Sequence, residues 1–225
     1  MKSMLRILFE NHEVLIVDKP AGLPSQGGEG VTDHVLAVLE RERGLVPLPV
    51  HRLDRDTAGC MILAKNPPSA ARWSAWLEGR EIRKFYRAWV AGIPLKERGR
   101  ITSALEGRKG SQEAETLWTC IRRERIESSV SEVSLLELEL KTGRMHQIRR
   151  HLAGIGHPVL GDDRHGDFPL NRLACRELGV RTLMLWACRL VLPGGTVVES
   201  SMPPHFEAFD MVLGEKKRKE GQGES

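Results

Sequence analysis

A turn rich in charged side chains carries the strongest chemical signal in the chain. Residues 51–59 read HRLDRDTAG, in which Arg52 and Asp54 are followed at close spacing by Thr57 and Gly59. Polar residues gathered in a turn between apolar segments are typical of loops that carry function. A carboxylate there can act as a nucleophile or as a general acid or base. An Arg–Asp ion pair that merely orders a surface turn explains the same residues, so the residues alone leave both interpretations open.

The same segment resembles a family signature. Residues 50–59 are similar to the HRLDxxTSG pattern of the RluA-type pseudouridine synthases, with Ala58 at the position where serine is usual. Further segments agree with that family in the same order along the chain: residues 17–22 (VDKPAG), 84–88 (KFYRA), 142–149 (TGRMHQIR), 156–158 (GHP) and 161–162 (GD). The resemblance therefore spans most of the chain.

The resemblance implies a reaction and three residues that carry it out. Asp54 takes the place of the family's essential carboxylate in converting uridine to pseudouridine, in which uracil leaves C1′, rotates and rejoins through C5. Burial alone favours the neutral form of a carboxyl group, so Asp54 needs a nearby cation, and the resemblance assigns that role to Arg144. Tyr86 corresponds to the tyrosine that lies against the target uracil. We therefore expect Asp54, Arg144 and Tyr86 to meet in one cleft.

Basic side chains are clustered along the sequence. The formal net charge of +4 and the pI near 9.0 permit an RNA partner without requiring one. Clusters at residues 52–55, 80–87, 98–109 and 144–150 would suit a long contact with the RNA backbone. The residues predicted to contact structured RNA, ribosomal or transfer, are Arg52, Arg55, Thr57, Lys84, Gln147 and Arg149. Taken singly, each charged one is more often an ordinary solvated side chain.

The sequence predicts neither a cofactor nor a metal ion. A redox-neutral isomerisation transfers no hydride or phosphoryl group, and no GxGxxG segment or Walker-type loop is present. His146 and His151 are five residues apart, so a helix points them in different directions, and no Cys or carboxylate completes a ligand set. The four cysteines show no CxxC spacing, which favours a reducing cytoplasm. We expect a cytoplasmic monomer with no membrane partner.

Strands and helices are predicted in an order that leaves the motifs on loops. Alternating or compact apolar runs predict strands at residues 5–9, 14–17, 60–64, 82–90, 113–120, 130–140, 183–192 and 196–198. Helical spacing predicts helices that begin at Thr32, at Pro67, after Gly143 and at His205. The charged stretch at residues 94–110 is predicted to be a loop. In the third helix, the polar residues Arg144, Gln147 and His151 share one stripe, which is a candidate working face.

The fold class implied is α+β, with a mixed, largely antiparallel central β-sheet, flanking helices and a central active-site cleft. We expect one catalytic domain over residues 1–213 and a disordered polar tail over residues 214–225. Many family members carry a small RNA-binding S4 domain before the catalytic one, whereas here the catalytic pattern starts almost at Met1. Target choice should then come from the catalytic domain and its loops.

Two other functions compete with the synthase. A non-catalytic RNA-binding or ribosome-assembly factor on the same fold is disfavoured by the retained Asp54, Tyr86 and Arg144. A nucleoside or glycoside hydrolase would need a second acid to protonate the leaving group, and Asp56 is too close in sequence to Asp54 to serve. The sequence leaves open which RNA and which uridine are modified, whether Asp54 attacks C1′, and what effect Ala58 has.

Overall fold

A computed structural model describes residues 5–28, 30–107 and 110–222 of the 225-residue chain. The chain divides into two compact units. Unit 1 comprises Met1–Phe85 and Trp186–Ser201, and unit 2 comprises Tyr86–Leu185 and Met202–Ser225. The range predicted as one catalytic domain is thus shared between two units, each of which is made of segments distant in sequence.

The described residues form strands and α-helices in the order that follows. The strands are β1 (Ile7–Glu10), β2 (Val14–Lys19), β3 (Leu48–Pro49), β4 (Ala58–Ala64), β5 (Arg83–Ala91), β6 (Arg98–Ile101), β7 (Leu105–Gly107), β8 (Gly110–Gln112), β9 (Thr116–Arg125), β10 (Glu132–Leu140), β11 (Leu185–Val191) and β12 (Val197–Glu199). The helices are α1 (Val35–Arg43), α2 (Pro67–Glu78), α3 (Gln147–Gly154), α4 (Phe168–Leu178) and α5 (Pro204–Gln222).

Unit 1 is built on a mixed sheet with β4 in its interior. The strand order is β1-β2-β4-β11, with β3 paired to β4 and β12 paired to β11. The β4–β11 pair is parallel, and β2 runs antiparallel to β4. All seven residues of β4 are buried, as expected for a strand covered on both faces. Trp73 of α2 packs with Ile16, Cys60 and Ile62 in the core of this unit.

Unit 2 contains a largely antiparallel sheet. Its strand order is β5-β10-β9-β6, and the long β9–β10 pair runs antiparallel from Glu132 opposite Arg125 to Leu140 opposite Thr116. Helix α3 packs against β9, and α4 packs against α5. The strand pairings of the two units confirm the predicted α+β class with mixed, largely antiparallel β-structure. The predicted central cleft stays a prediction.

Local predictions were wrong at several element ends. Helix α1 is capped by the imidazole of His34, whose Nδ1 accepts from Ala37 N at 3.2 Å, and not by Thr32. The stretch predicted as a charged loop contains β6, β7 and the first residue of β8, because β6 pairs with β9. Helix α4 was not predicted, although Asp167 caps its start and Gly179, with a φ of +70°, caps its end.

The C-terminal helix is longer than its apolar spacing indicated. The sequence predicted an end near Leu213 and a polar tail, whereas α5 continues to Gln222. Residues 223–225 of the predicted tail lie outside the described residues. Among the described residues, no helix is both long and apolar enough to cross a membrane.

Candidate active site

The register of unit 1 brings two loops together beside Asp54. Because β2 and β4 are antiparallel, Lys19 at the end of β2 lies opposite Gly59 near the start of β4. The loop that leaves β2 therefore lies next to the loop that enters β4. Asp54 is half-buried in the second loop, where its carbonyl oxygen accepts from Thr57 N at 3.1 Å and closes a β-turn.

The loop after β2 holds both sides of Asp54 by backbone hydrogen bonds. Ser25 Oγ donates to Leu53 O at 2.6 Å and accepts from Leu53 N at 3.1 Å. On the other side, Gly22 N donates to Arg55 O at 3.0 Å, and Arg55 Nε donates to Gly22 O at 3.1 Å. The residues before and after Asp54 are thus fixed, which limits the positions its carboxylate can take.

A fully buried lysine completes this support. The Nζ of Lys19 donates to the carbonyl oxygens of Pro20, Leu23 and Arg55 at 2.9, 2.7 and 2.8 Å, and the side chain has no solvent exposure. Burial lowers the pKa of Lys19 to about 7, against the opposing effect of the nearby carboxylates of Asp56 and Asp54. Sequence reasoning missed Lys19 as a site residue, although it lies in the family-like segment at residues 17–22.

Removing the Lys19 ammonium is expected to loosen the Asp54 turn. Lys19→Met removes one donor from each of three carbonyl oxygens, although Arg55 O still accepts from Gly22 N, and we expect the free energy of unfolding to fall by roughly 2–4 kcal/mol. Thermal or denaturant unfolding measures this. Lys65→Met is the matched control, because Lys65 Nζ pairs with the surface carboxylate of Glu10 at 2.8 Å. It should cost less than about 1 kcal/mol, and equal losses in both variants would contradict the proposed support.

The glycine that ends the family-like segment has no room for a side chain. Gly59 has a φ of +110°, and a Cβ there would lie 2.2 Å from the carbonyl oxygen of Ala187 on β11. Ala58 is 2% exposed. A serine hydroxyl at that position would be buried inside the unit, so the departure from the family pattern does not remove an exposed polar group.

Two further residues of unit 1 surround the start of the segment. The Nε2 of His51 accepts a hydrogen bond from Ile62 N at 3.1 Å, which requires the neutral ring. Burial, with a smaller contribution from the positive charge of Lys84, lowers the pKa of His51 to about 3. Lys84 is itself buried, and burial lowers its pKa too. His51 therefore acts as a fixed structural acceptor.

Because the pKa of His51 is lowered in the folded protein, we expect the stability to fall as the pH falls. In the unfolded chain His51 titrates near its ordinary value of about 6.5, so between about 6.5 and about 3 only the unfolded state gains this proton. As the pH is lowered below about 6.5, the free energy of unfolding should fall by about 1.4 kcal/mol per pH unit, which amounts to a loss of about 2 kcal/mol at pH 5. In His51→Gln the amide oxygen can still accept from Ile62 N without titrating. Denaturant unfolding at several pH values should show that the free energy of unfolding depends less on pH in the variant, by this amount. An equal dependence on pH in both proteins would contradict the prediction.

Arg144 of unit 2 is exposed and held by its surroundings. Its Nε donates to the carbonyl oxygen of Glu113 at 3.0 Å, and its backbone N donates to Oε1 of Gln147 at 3.0 Å. Gln147 also accepts from Thr142 Oγ1 at 2.7 Å and donates from Nε2 to Glu115 O at 2.9 Å. Gln147 thus fixes the turn that presents Arg144.

The polar stripe predicted on α3 is buried and is not an exposed face that could contact a substrate. Gln147 and His151 are 2% and 1% exposed, and both contact Oγ1 of Thr116 on β9. Only Arg144, which precedes the helix, is exposed. Helical spacing correctly placed these side chains near one another, but β9 supplies buried partners that periodicity alone cannot reveal.

Four of the predicted RNA contacts, Arg149, Thr57, Gln147 and Lys84, are buried. Arg149 is 5% exposed, and its guanidinium forms a two-point ion pair with Asp162, with Nε–Oδ2 and Nη2–Oδ1 distances of 2.8 and 2.6 Å. Thr57 and Gln147 are both 2% exposed. These environments favour structural roles over direct contact with RNA. Arg52 and Arg55, in contrast, are exposed.

Tyr86 begins the part of β5 that belongs to unit 2. It is 7% exposed, so only a small part of its surface is accessible. Asp54 belongs to unit 1, whereas Tyr86 and Arg144 belong to unit 2. The meeting of these three side chains in one cleft stays a prediction. Within the described ranges, no group of three or more His, Cys, Asp or Glu side chains could hold a metal ion.

Comparison with known proteins identifies the family. A family model described as RNA pseudouridylate synthase matches residues 13–154, which include the Asp54 turn, Tyr86 and Arg144. The chain belongs to this family. As an RNA pseudouridylate synthase it is an isomerase that converts uridine in RNA to pseudouridine. The competing hydrolase and non-catalytic interpretations are not supported.

Named relatives agree over most of the chain. It is 33% identical over 207 residues to a tRNA pseudouridine synthase C of Vibrio vulnificus, covering 83% of this chain and 84% of that one. It is 35% identical over 210 residues to the protein of the same name from Salmonella typhi, covering 84% and 80%. The solved structure of human RNA pseudouridylate synthase domain containing 4 matches with a TM-score of 0.74 at 25% identity, covering 92% of each chain.

Proposed function

We propose that this synthase acts on transfer RNA in the cytoplasm, as a monomer, with Asp54 as its catalytic carboxylate. The similarity to relatives named tRNA pseudouridine synthase C, over about four-fifths of each chain, supports transfer RNA over ribosomal RNA. The observation that carries the assignment of Asp54 is its support, because the residues on both sides of it are fixed by Ser25, Gly22 and Lys19. A functional carboxylate has to be positioned in this way.

The reaction breaks one bond to C1′ and forms another. The N1–C1′ bond of the uridine breaks, the C5–C1′ bond forms, a proton leaves C5 and N1 gains a proton, so no electrons enter or leave. Asp54 contributes a carboxylate for covalent attack on C1′ or for stabilising the separated sugar. Arg144 contributes a planar guanidinium that can hold a carboxylate by two hydrogen bonds.

Tyr86 and the basic residues are assigned to the substrate. The ring of Tyr86 stacks against a uracil that has left its helical stack, which costs roughly a few kcal/mol that contacts elsewhere must offset. Arg52 and Arg55 are exposed next to Asp54 and contact RNA phosphates. Lys84, two residues before Tyr86 in sequence, is buried and is therefore not assigned to an RNA phosphate. Thr57, Gln147 and Arg149 support the loops.

The substrate assignment is tested with purified protein and two RNA classes. Unmodified transfer RNA transcripts and protein-free ribosomal RNA are incubated separately with the chain, and pseudouridine is mapped at single-nucleotide resolution. We expect pseudouridine at a defined position of one or more transfer RNAs and none in ribosomal RNA. Modification of ribosomal RNA alone would overturn the choice of transfer RNA while leaving the family assignment unaffected.

A further inference from the structure

Met145 of unit 2 is an exposed apolar side chain beside a proposed site residue. Several large apolar side chains are exposed in the part of the chain that the structure describes, and singly exposed ones are ordinary. Met145, with 67% of its surface exposed, is the only one of them that adjoins Asp54, Tyr86 or Arg144 in the chain. Its place next to Arg144 distinguishes it from the others.

Met145 lies at the apex of a tight turn. Gln147 N donates to Arg144 O at 3.1 Å, which closes a β-turn whose two central residues are Met145 and His146. His146 has a φ of +52°, in the left-handed region that is unfavourable for residues other than glycine. Such a backbone conformation persists only where the surrounding structure fixes it.

Hydrogen bonds fix both ends of this turn. The buried side chain of Gln147 accepts from Arg144 N through Oε1 at 3.0 Å, and its Nε2 donates to a hydroxyl oxygen on β9 at 3.0 Å. After the turn, Arg150 N donates to His146 O at 3.0 Å, as the first hydrogen bond of α3. The main chain on either side of Met145 is therefore fixed, and little ordering of it is needed when a substrate binds.

The chemistry of the Met145 side chain indicates which part of an RNA it contacts. Consecutive Cα atoms are about 3.8 Å apart, so Met145 lies close to the nucleotide that Arg144 serves. The side chain is uncharged and its sulfur donates no hydrogen bond, so it does not fit a phosphate group. An unbranched thioether is flexible and polarisable and packs favourably on aromatic rings, and every RNA base has such a π-face. The favoured contact is therefore a base.

We propose that Met145 packs against the base next to the target uridine and fills the space that the uracil leaves when it turns out of its stack. Tyr86 has the role of stacking on the uracil itself, so the face left uncovered is that of the neighbouring base. An apolar side chain inserted at that gap offsets part of the cost of unstacking. The proposal rests on the proposed function, since it takes RNA as the substrate and Arg144 as a site residue.

Single-turnover rates at saturating protein concentration test this role. The substrate is an RNA fragment around whichever uridine the mapping experiment identifies, in transfer or ribosomal RNA. Met145→Ala should slow pseudouridine formation roughly five- to tenfold, whereas Met145→Leu, which keeps a long apolar side chain, should stay within about threefold of the parent. Met211→Ala is the matched control, because Met211 on α5 is 68% exposed, and its rate should stay within about twofold of the parent. Equal rates for the parent and Met145→Ala would overturn the proposal.

Altered RNA fragments separate a contact with the neighbouring base from a contact with the uridine itself. Two further substrates carry an abasic site on the 5′ side or on the 3′ side of the target uridine. Where the contacted base is missing, no face remains for Met145 to cover, so the parent and Met145→Ala should differ by less than about twofold on one of the two substrates. A five- to tenfold difference that persists on both would show that Met145 does not act through a neighbouring base.

A fluorescence measurement decides the matter if neither abasic RNA reacts. A base analogue whose emission is quenched by stacking replaces each neighbour of the uridine in turn, and the protein carries Asp54→Asn so that no turnover occurs. Addition of Met145→Ala should reduce the rise in emission on binding, and an equal rise at both positions overturns the contact. Either negative result leaves the proposed function standing. Modification of ribosomal RNA in place of transfer RNA overturns the proposed substrate instead, and the same measurements on that RNA then decide the role of Met145.

Discussion

Asp54→Asn is expected to abolish pseudouridine formation while leaving the fold in place. The amide keeps the shape of the carboxylate but loses the charge that attacks C1′ or stabilises the separated sugar, and removal of such a group costs at least about 10³-fold in turnover. The backbone bonds around Asp54 do not use its side chain, so the turn held by Ser25 and Gly22 should persist. Single-turnover assays on a transfer RNA transcript measure the loss.

The neighbouring carboxylate provides the matched control. Asp56 is half-buried in the same turn, two residues from Asp54, and both carboxylates oppose the lowering of the pKa of Lys19. Asp56→Asn makes the same chemical change at almost the same place and should keep activity within about tenfold. If Asp54→Asn stayed active, or if Asp56→Asn were the more damaging change, the assignment of the catalytic carboxylate would be wrong.

Arg144→Lys should lose roughly 10²-fold or more in turnover with little loss of stability. Lysine keeps the positive charge but lacks the planar set of donors that can hold a carboxylate at two points while Nε donates to Glu113 O. Arg144 is exposed, so its replacement creates no buried cavity. The single-turnover rate constant and the melting temperature together separate a catalytic effect from a structural one.

An arginine elsewhere on unit 2 controls for the substitution itself. Arg176 on α4 is exposed and pairs with Glu177 at 2.8 Å, and Arg176→Lys should leave turnover within about twofold. Near-normal turnover in Arg144→Lys would remove Arg144 from the site. A melting temperature that fell sharply in that variant would instead assign Arg144 to the support of its turn.

The sequence predicted the residues of the Asp54 turn but not what holds them. Composition and spacing left Asp54 between a catalytic and a structural interpretation, and the family resemblance favours the catalytic one, which stays a prediction. The contribution of Lys19 depends on the β2–β4 register, which places the end of one strand beside the loop before the other. Register is a tertiary property, and a buried lysine in a short strand carries no local sign of the three carbonyl groups it will contact.

Helical spacing correctly predicted which polar side chains of α3 lie on the same side of the helix, but it did not predict their hydrogen-bond partners. The stripe formed by Gln147 and His151 exists, but its polar groups bond to Thr116 and to backbone carbonyls of unit 2. Likewise Arg149 was predicted to contact phosphate, and its burial with Asp162 favours a structural role. A polar residue on a helix reads the same in sequence whether its partner is water, RNA or a buried acceptor.

The predicted strands were largely confirmed because their apolar patterns are strong, as in β4 and β10. Helix α4 was missed despite a capping aspartate, a proline in its first turn and a glycine at its end. These signals at the two ends of a helix predict it even where the residues between them form no continuous apolar stripe. The extension of α5 beyond Leu213 shows the converse, since its last residues are polar and carry no apolar spacing.

Pseudouridine mapping in transfer RNA from cells lacking this gene is the most direct test of the central claim. The cells are complemented with the wild-type chain, with Asp54→Asn or with Asp56→Asn. We predict that a transfer RNA pseudouridine is missing in the deleted cells and in those carrying Asp54→Asn, and is restored by the wild-type chain and by Asp56→Asn. Restoration of that pseudouridine by Asp54→Asn would contradict the claim that Asp54 is the catalytic carboxylate.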